Sequence, residues 1–274
     1  MSKLNVFCVT HKKIDFPSVP GLQLIQVGDK ANSENFANFR DNIDDNIAHK
    51  NSSYSELTAF YYVWKNLQSP LVGFCHYRRY LMPYCLREWI NNISLKPYGS
   101  GHLVSDVDLF NQFSSLKDSY ENSFSEALEN SDILLPHPNS LPPGGFMGQY
   151  FSCHPSSPFL RMLSILSEMN NNMGIMAHEF FLNSRQAYWN NLFVTRWEIF
   201  EEYCQFLFEI LFRLEAEIKL PESPYQKRVF AFLSERLFNF WIWYKKLHIA
   251  TSDWCVLESS IITNEAHQWS GKGW

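Results

Sequence analysis

The sequence predicts an α/β fold: a mainly parallel sheet built by its first half, followed by a mainly helical second half. Two patterns predict it. In residues 1–100, apolar runs of strand length alternate with helical spacing, as in parallel strands joined by helices. Towards the end of the chain, apolar residues recur at helical spacing over long stretches. The chain has 274 residues, 46% of them hydrophobic and 19% charged, so it can bury a large core and is no disordered tail.

Leu4–Thr10 reads as a compact strand, and Leu22–Val27 as a second that ends at Gly28. Ser53-Tyr54-Ser55-Glu56 has the form of a capping box, Ser53 as N-cap and Glu56 reaching back to it. Leu57, Phe60, Tyr61, Trp64 and Leu67 follow at helical spacing. Pro70 closes that connection, and Leu71–Tyr77 reads as a buried strand running into Arg78 and Arg79. Asp132–Pro136 is another strand. Pro136–Gly148 holds four prolines and three glycines between the halves. Its run Gly144-Gly145-Phe146-Met147-Gly148 follows prolines, so it reads as a lid or turn and not as a phosphate cradle. Thr195-Arg196-Trp197-Glu198 is a second capping box, opening a helix to about Ile218. Ser223-Pro224-Tyr225-Gln226 opens a last helix through Val229, Leu233, Leu237 and Trp241. There is no repeat and no long linker, so residues 1–274 read as one composite domain with halves 1–150 and 151–274.

Charge is uneven. Residues 1–100 carry 11 Lys and Arg against 8 Asp and Glu, and residues 101–274 carry 12 against 20, for a net −5. This is not the basic stripe that duplex nucleic acid needs; it suits a small anionic ligand in the front half. No run reaches the roughly 18 apolar residues of a bilayer span, and no leader pattern is visible. The six cysteines are scattered without a Cys-x-x-Cys pair and read as reduced, mostly buried thiols in a cytoplasmic protein. Trp241, Trp243, Tyr244, Lys245 and Lys246 read either as a core helix with a solvated tip or as a peripheral contact with the inner membrane face.

In an open α/β sheet, ligands bind beyond the carboxyl ends of the strands. Thr10-His11-Lys12-Lys13 follows the first strand, and His76-Tyr77-Arg78-Arg79-Tyr80 follows the strand at Leu71. Period-two alternation puts His76, Arg78 and Tyr80 on one side, Tyr77 and Arg79 on the other. Adjacent guanidinium groups here either pair with internal carboxylates or grip an anion. With Thr10, His11 and Lys12 on the same rim, the anion reading gains. No P-loop and no Gly-x-Gly-x-x-Gly is present, which argues against kinase-like and Rossmann dehydrogenase chemistry. Metal ligation has little support: His76, His154 and His178 lack spaced partners, and Ser105 with Asp106-Val107-Asp108 reads as a helix start. No cofactor is expected.

The run Asn46-Ile47-x-x-Lys50-Asn51-x-x-Tyr54-x-Glu56-Leu57-Thr58-Ala59, then Gly73-x-x-His76-Tyr77-Arg78-Arg79-Tyr80, resembles a family of bacterial capsule and exopolysaccharide biosynthesis proteins. That family was long filed as a domain of unknown function and later grouped with glycosyltransferases, some linked to galactofuranosyl transfer. The similarity extends to Val9-Thr10-His11-Lys12, Asp132–Pro136, Asn191-x-Phe193 and Tyr225–Leu237. Residues 85–130 and 139–180 match little, and Leu192 stands where the family usually has Met. The resemblance implies a GT-A-like three-layer fold with residues 1–150 as the nucleotide-sugar-binding half. It implies a UDP-sugar donor and an oligosaccharide acceptor, lipid-linked at the membrane. It also implies donor contacts at Thr10, His11, Lys12, Asn46, Lys50, Asn51, Tyr77, Asn191, Arg228 and Arg236. The arginine block occupies the place where metal-dependent relatives carry acids, so Arg78 and Arg79 are expected to replace the ion.

An inverting transferase needs a general base. Asp45, His76, His178 and Glu235 are candidates, each with a structural alternative: a turn cap, a core histidine, an ion network. Glu56, explained by its capping box, ranks lower. The chief rival function is a non-catalytic glycan- or nucleotide-binding component of a polysaccharide assembly complex. A glycoside hydrolase would need two carboxylates, and no pair stands out at the strand ends.

Overall fold

The computed structural model describes residues 3–28, 35–82, 94–116, 118–259 and 261. The front half supplies β1 (Leu4–Thr10), β2 (Leu22–Gln26), β3 (Phe39–Arg40), α1 (Asn51–Tyr54), α2 (Leu57–Asn66), β4 (Leu71–His76) and β5 (Arg79–Leu81). Next come β6 (Lys96–Tyr98), β7 (Gly101–Val104), α3 (Asp106–Leu116), α4 (Asp118–Ala127), β8 (Ile133–Pro136) and β9 (Asn139–Ser140). The rest is α5 (Gly145–Cys153), α6 (Ser156–Met169), α7 (Asn171–Asn183), β10 (Gln186–Ala187), β11 (Phe193–Arg196), α8 (Trp197–Glu217), α9 (Val229–Lys245), β12 (Ile249–Ser252) and β13 (Trp254–Leu257).

The main run of the sheet is ordered β3-β2-β1-β4-β11-β8-β12, with every strand parallel except β11. A sharp turn carries β4 into β5, which leads to a smaller wing, β5-β13-β7-β6. The mainly parallel α/β architecture is therefore as expected. Alternation along the strands divides the core. Phe7, Val9, Val72 and Phe74 face α1, α2 and α5–α9, whereas Val6, Cys8 and Cys75 face α3, α4 and the small wing. Helices thus cover both faces, the heavier layer coming from the back half.

Much of the aromatic load sits in this core. Phe74 packs on Phe60, Phe193 and Phe200 at centroid distances of 4.0, 5.5 and 5.3 Å. β11 passes so close to β4 that a Cβ on Gly73 would lie 2.7 Å from the Phe193 carbonyl oxygen. Gly73→Ala is expected to cost about 1–3 kcal/mol by overpacking, read as a lower melting temperature; an unchanged one would show that β11 can shift. Cys8, Cys75, Cys153, Cys204 and Cys255 are free thiols; Cys85 lies outside the described residues.

Four local expectations need correction. Ser53 does not cap α2: it lies inside α1, its Oγ donates to Lys50 O, and Ser55 at φ 51° separates the two helices. Asn51 holds that break by donating to Ser55 O and Thr58 Oγ1. Thr195 caps nothing either, because it belongs to β11 and donates to Asp132 O. After Ser223 the chain makes a 3-10 turn over Gln226–Arg228 before α9 begins. Finally, the glycine run opens α5, with Gly144 in the left-handed region at φ 88°. Ser105 does act as expected, accepting from the Asp108 N–H at the start of α3. No helix among the described residues is long and apolar enough to cross a membrane.

Candidate active site

The turn at Tyr77-Arg78 decides the geometry. It pairs His76 with Arg79 across the hairpin, so these two belong together and the expected alternation fails. Tyr77 is buried against the small wing, and its ring becomes a platform. His11 meets it edge-on at 5.4 Å, Lys12 Nζ lies 5.2 Å from its centroid and the Arg78 guanidinium 4.7 Å. Arg78 also donates to the Tyr77 hydroxyl. Lys12, Tyr77 and Arg78 line a cavity of about 240 Å³ together with Asp15, Asp106, Phe110, Leu257 and Ser259. Thr10, 1% exposed, shapes this loop by donating to Lys12 O.

His76 sits where the cations converge. Burial chiefly, and then Arg79, Arg78, His11 and Arg228, hold its imidazole well below the ordinary histidine pKa. It is a neutral ring inside a positive rim. Arg228 reaches this rim from just before α9, donating through Nε to Ser55 Oγ at 3.0 Å.

Two carboxylates face the cationic rim from the helical layer. Glu56, free of capping duty, accepts from Asn191 Nδ2 at 2.8 Å. Glu235 accepts from the Asn190 N–H at 2.9 Å and from Arg236 at 3.2 Å. Asn190 and Asn191 both lie in the left-handed region, at φ 71° and 51°, which turns one backbone N–H and one side chain towards the two acids. Burial raises the Glu235 pKa, Arg236 opposes it and Glu56 adds to it. Arg79 feels the same pair: burial lowers its pKa, while Glu235, Tyr98 and Glu56 favour its charge. Arg79 is thus turned towards acids, and Arg78 borders open space.

Other expected site residues stand elsewhere. Asp45 accepts from the Tyr61 hydroxyl and exchanges hydrogen bonds with Asn66, at the far end of α2. Ten residues of helix separate that end from Glu56, about 15 Å. Asn46 closes its own turn through Asp44 O and the Ala48 N–H. Lys50 pairs with Glu215 at 2.5 Å. Asn51 lies beside Gly28 but spends its amide on the α1–α2 break. Arg236 is 3% exposed and anchored to Phe232 O, Glu235 and Gln149, inside the core. His178 is exposed on α7.

In sequence, a local capping pattern accounts for Glu56. No sequence signal joins it to Asn191, 135 residues away. The charges that act on His76 come from Arg79, Arg78, His11 and Arg228, so a divalent cation at this strand end would enter a positive field. Among the described residues no three His, Cys, Asp or Glu side chains gather as a metal site.

The family model described as a domain of unknown function, DUF4422, matches residues 5–246. The chain belongs to the DUF4422 family. No functionally curated protein matches it. Among solved structures, the bifunctional glycosyltransferase WbbM in its apo form shares the DUF4422 chain's fold, with a TM-score of 0.81 and 26% identity over 93% of this chain. The match spans 45% of the WbbM chain. The fold of this DUF4422 protein is thus one found within a glycosyltransferase.

Proposed function

We propose that this DUF4422 chain is an inverting hexosyltransferase that moves a sugar from a UDP-sugar to a lipid-linked oligosaccharide in capsule, exopolysaccharide or O-antigen synthesis. The observation that carries this reading is the meeting of a cationic rim and a carboxylate pair at the carboxyl ends of parallel strands, in a fold shared with a glycosyltransferase. UDP-galactofuranose is the first donor to test, because the family that the sequence resembles includes galactofuranosyl transfer.

In this mechanism the donor diphosphate lies against Lys12, His11 and Arg78 on the Tyr77 platform. Arg79 and Arg228 extend the positive field towards the breaking bond. An acceptor hydroxyl attacks the anomeric carbon as the bond to the phosphate oxygen breaks. UDP leaves with the electron pair, and Glu56 takes the hydroxyl proton. Its Oε1 is fixed by Asn191, and among the described residues no protein hydrogen bond is formed by its other oxygen. Glu235 acts as a positioning residue, held by Asn190 and Arg236 beside Arg79. Fixed cations that meet charge developing on a leaving group supply several kcal/mol where water is excluded.

Nucleotide release from UDP-sugars by purified protein tests the reading. Turnover is expected to persist in excess chelator. Complete loss rescued by manganese would remove the metal-free mechanism, and tight nucleotide binding without turnover would favour a binding component.

A further inference from the structure

We propose that the groove between α7 and the end of α9 is a docking face for a bilayer surface rich in anionic phospholipid. The groove encloses about 640 Å³ and is lined by Met176, Phe180, Trp243 and Ile249, with Arg185 and Lys246 among its other lining residues. Two of its large apolar lining side chains stand well exposed, Trp243 at 43% and Ile249 at 37%, beside the partly exposed Met176 and Phe180. Isolated exposed apolar residues are ordinary, but a contiguous set marks an interaction face.

Charge selects the partner. Residues 101–274 carry 12 basic against 20 acidic side chains, yet no Asp or Glu lines this groove and two cations do. Lys246 ends α9 in the left-handed conformation at φ 54° and is exposed, while Lys245 is tied to Glu202. Trp and Tyr beside Lys and Arg, flanking an apolar strip, match the headgroup boundary of an anionic leaflet. Trp241, expected from sequence to join this contact, is 2% exposed and belongs to the core.

The face is also aligned with the candidate active site. α9 carries Glu235 and, eight residues on, Trp243, a separation of about 12 Å along the helix. Tyr188 lines the groove and exchanges two hydrogen bonds with Asn239, and two residues later the Asn190 N–H holds Glu235. A glycan rooted in the leaflet would therefore rise towards Glu56. That purpose rests on the proposed activity; the docking does not.

Co-sedimentation of the full chain with phosphatidylglycerol–phosphatidylcholine vesicles, against pure phosphatidylcholine, tests it. The protein is expected to pellet with the anionic vesicles at low salt. Arg185→Glu and Lys246→Glu should each lower the partition coefficient about fivefold or more. Ile249→Ser, at an exposed lining position outside the core, should also lower it without changing nucleotide release from UDP-sugar in solution. Equal recovery with both vesicle types, or partition unchanged in all these variants, would overturn the proposal. So would a concentration-dependent dimer abolished by Ile249→Ser, which would show that a second copy covers the face.

Discussion

Glu56→Gln is expected to lower the transfer rate by about 10²–10⁴-fold, the usual contribution of a positioned general base. The donor KM and the melting temperature should hardly move. The amide keeps the side chain's shape and still offers Oε1 to Asn191 Nδ2, so what disappears is the capacity to take a proton. Glu235→Gln makes the useful contrast. Arg236, 3% exposed, depends on Glu235 for its countercharge at 3.2 Å. Removing one member of a buried pair costs about 3–5 kcal/mol, so activity lost at Glu235 should come with a clearly lower melting temperature. A full rate in Glu56→Gln, with a collapsed rate and unchanged melting in Glu235→Gln, would move the base to Glu235. In that case the acidic limb of the rate profile would lie above the ordinary carboxylate range, because burial raises the Glu235 pKa, and activity would fall as pH drops through it.

Legibility in the sequence followed how local each pattern was. β1, β2, β4 and β8 were readable because each is a short apolar run buried on both faces, bounded by turn or polar residues. β11 was not: its four residues overlap a stretch that mimics a capping box, and its place between β4 and β8 depends on partners more than 50 residues away. In the small wing the same holds for β13, whose partners β5 and β7 lie more than 150 residues before it. At the candidate site, Thr10–Lys12 and His76–Arg79 were visible because their chemistry is contiguous. The turn at Tyr77-Arg78 then reversed the expected sidedness, since one hairpin reverses the strand along which alternation was counted. Glu56 was hidden in the opposite way. A plausible local role concealed a tertiary one, which only the left-handed pair Asn190-Asn191 creates.

Arg78→Ala should reduce kcat/KM by about 10²–10³-fold, the effect of deleting one preorganised charge donor. The affinity for UDP should fall about 10–100-fold, as expected for a lost charge-assisted hydrogen bond. Uridine, which lacks phosphate, should bind both proteins alike, and that comparison separates loss of an anion contact from general damage. Arg78→Lys should recover only part of the loss: an ammonium restores charge but neither the planar fork nor the stacking on Tyr77 at 4.7 Å. Arg79 is a poorer probe, because Glu235 and Glu56 share its field and its removal disturbs both acids. Raising the salt concentration should narrow the UDP difference between the two proteins, since the cavity beside Lys12 and Arg78 borders solvent. Equal loss of uridine and UDP binding would instead assign Arg78 to holding the Tyr77 platform. Unchanged UDP binding in Arg78→Ala would remove the diphosphate from this rim altogether, and with it the reason for a positively charged strand end.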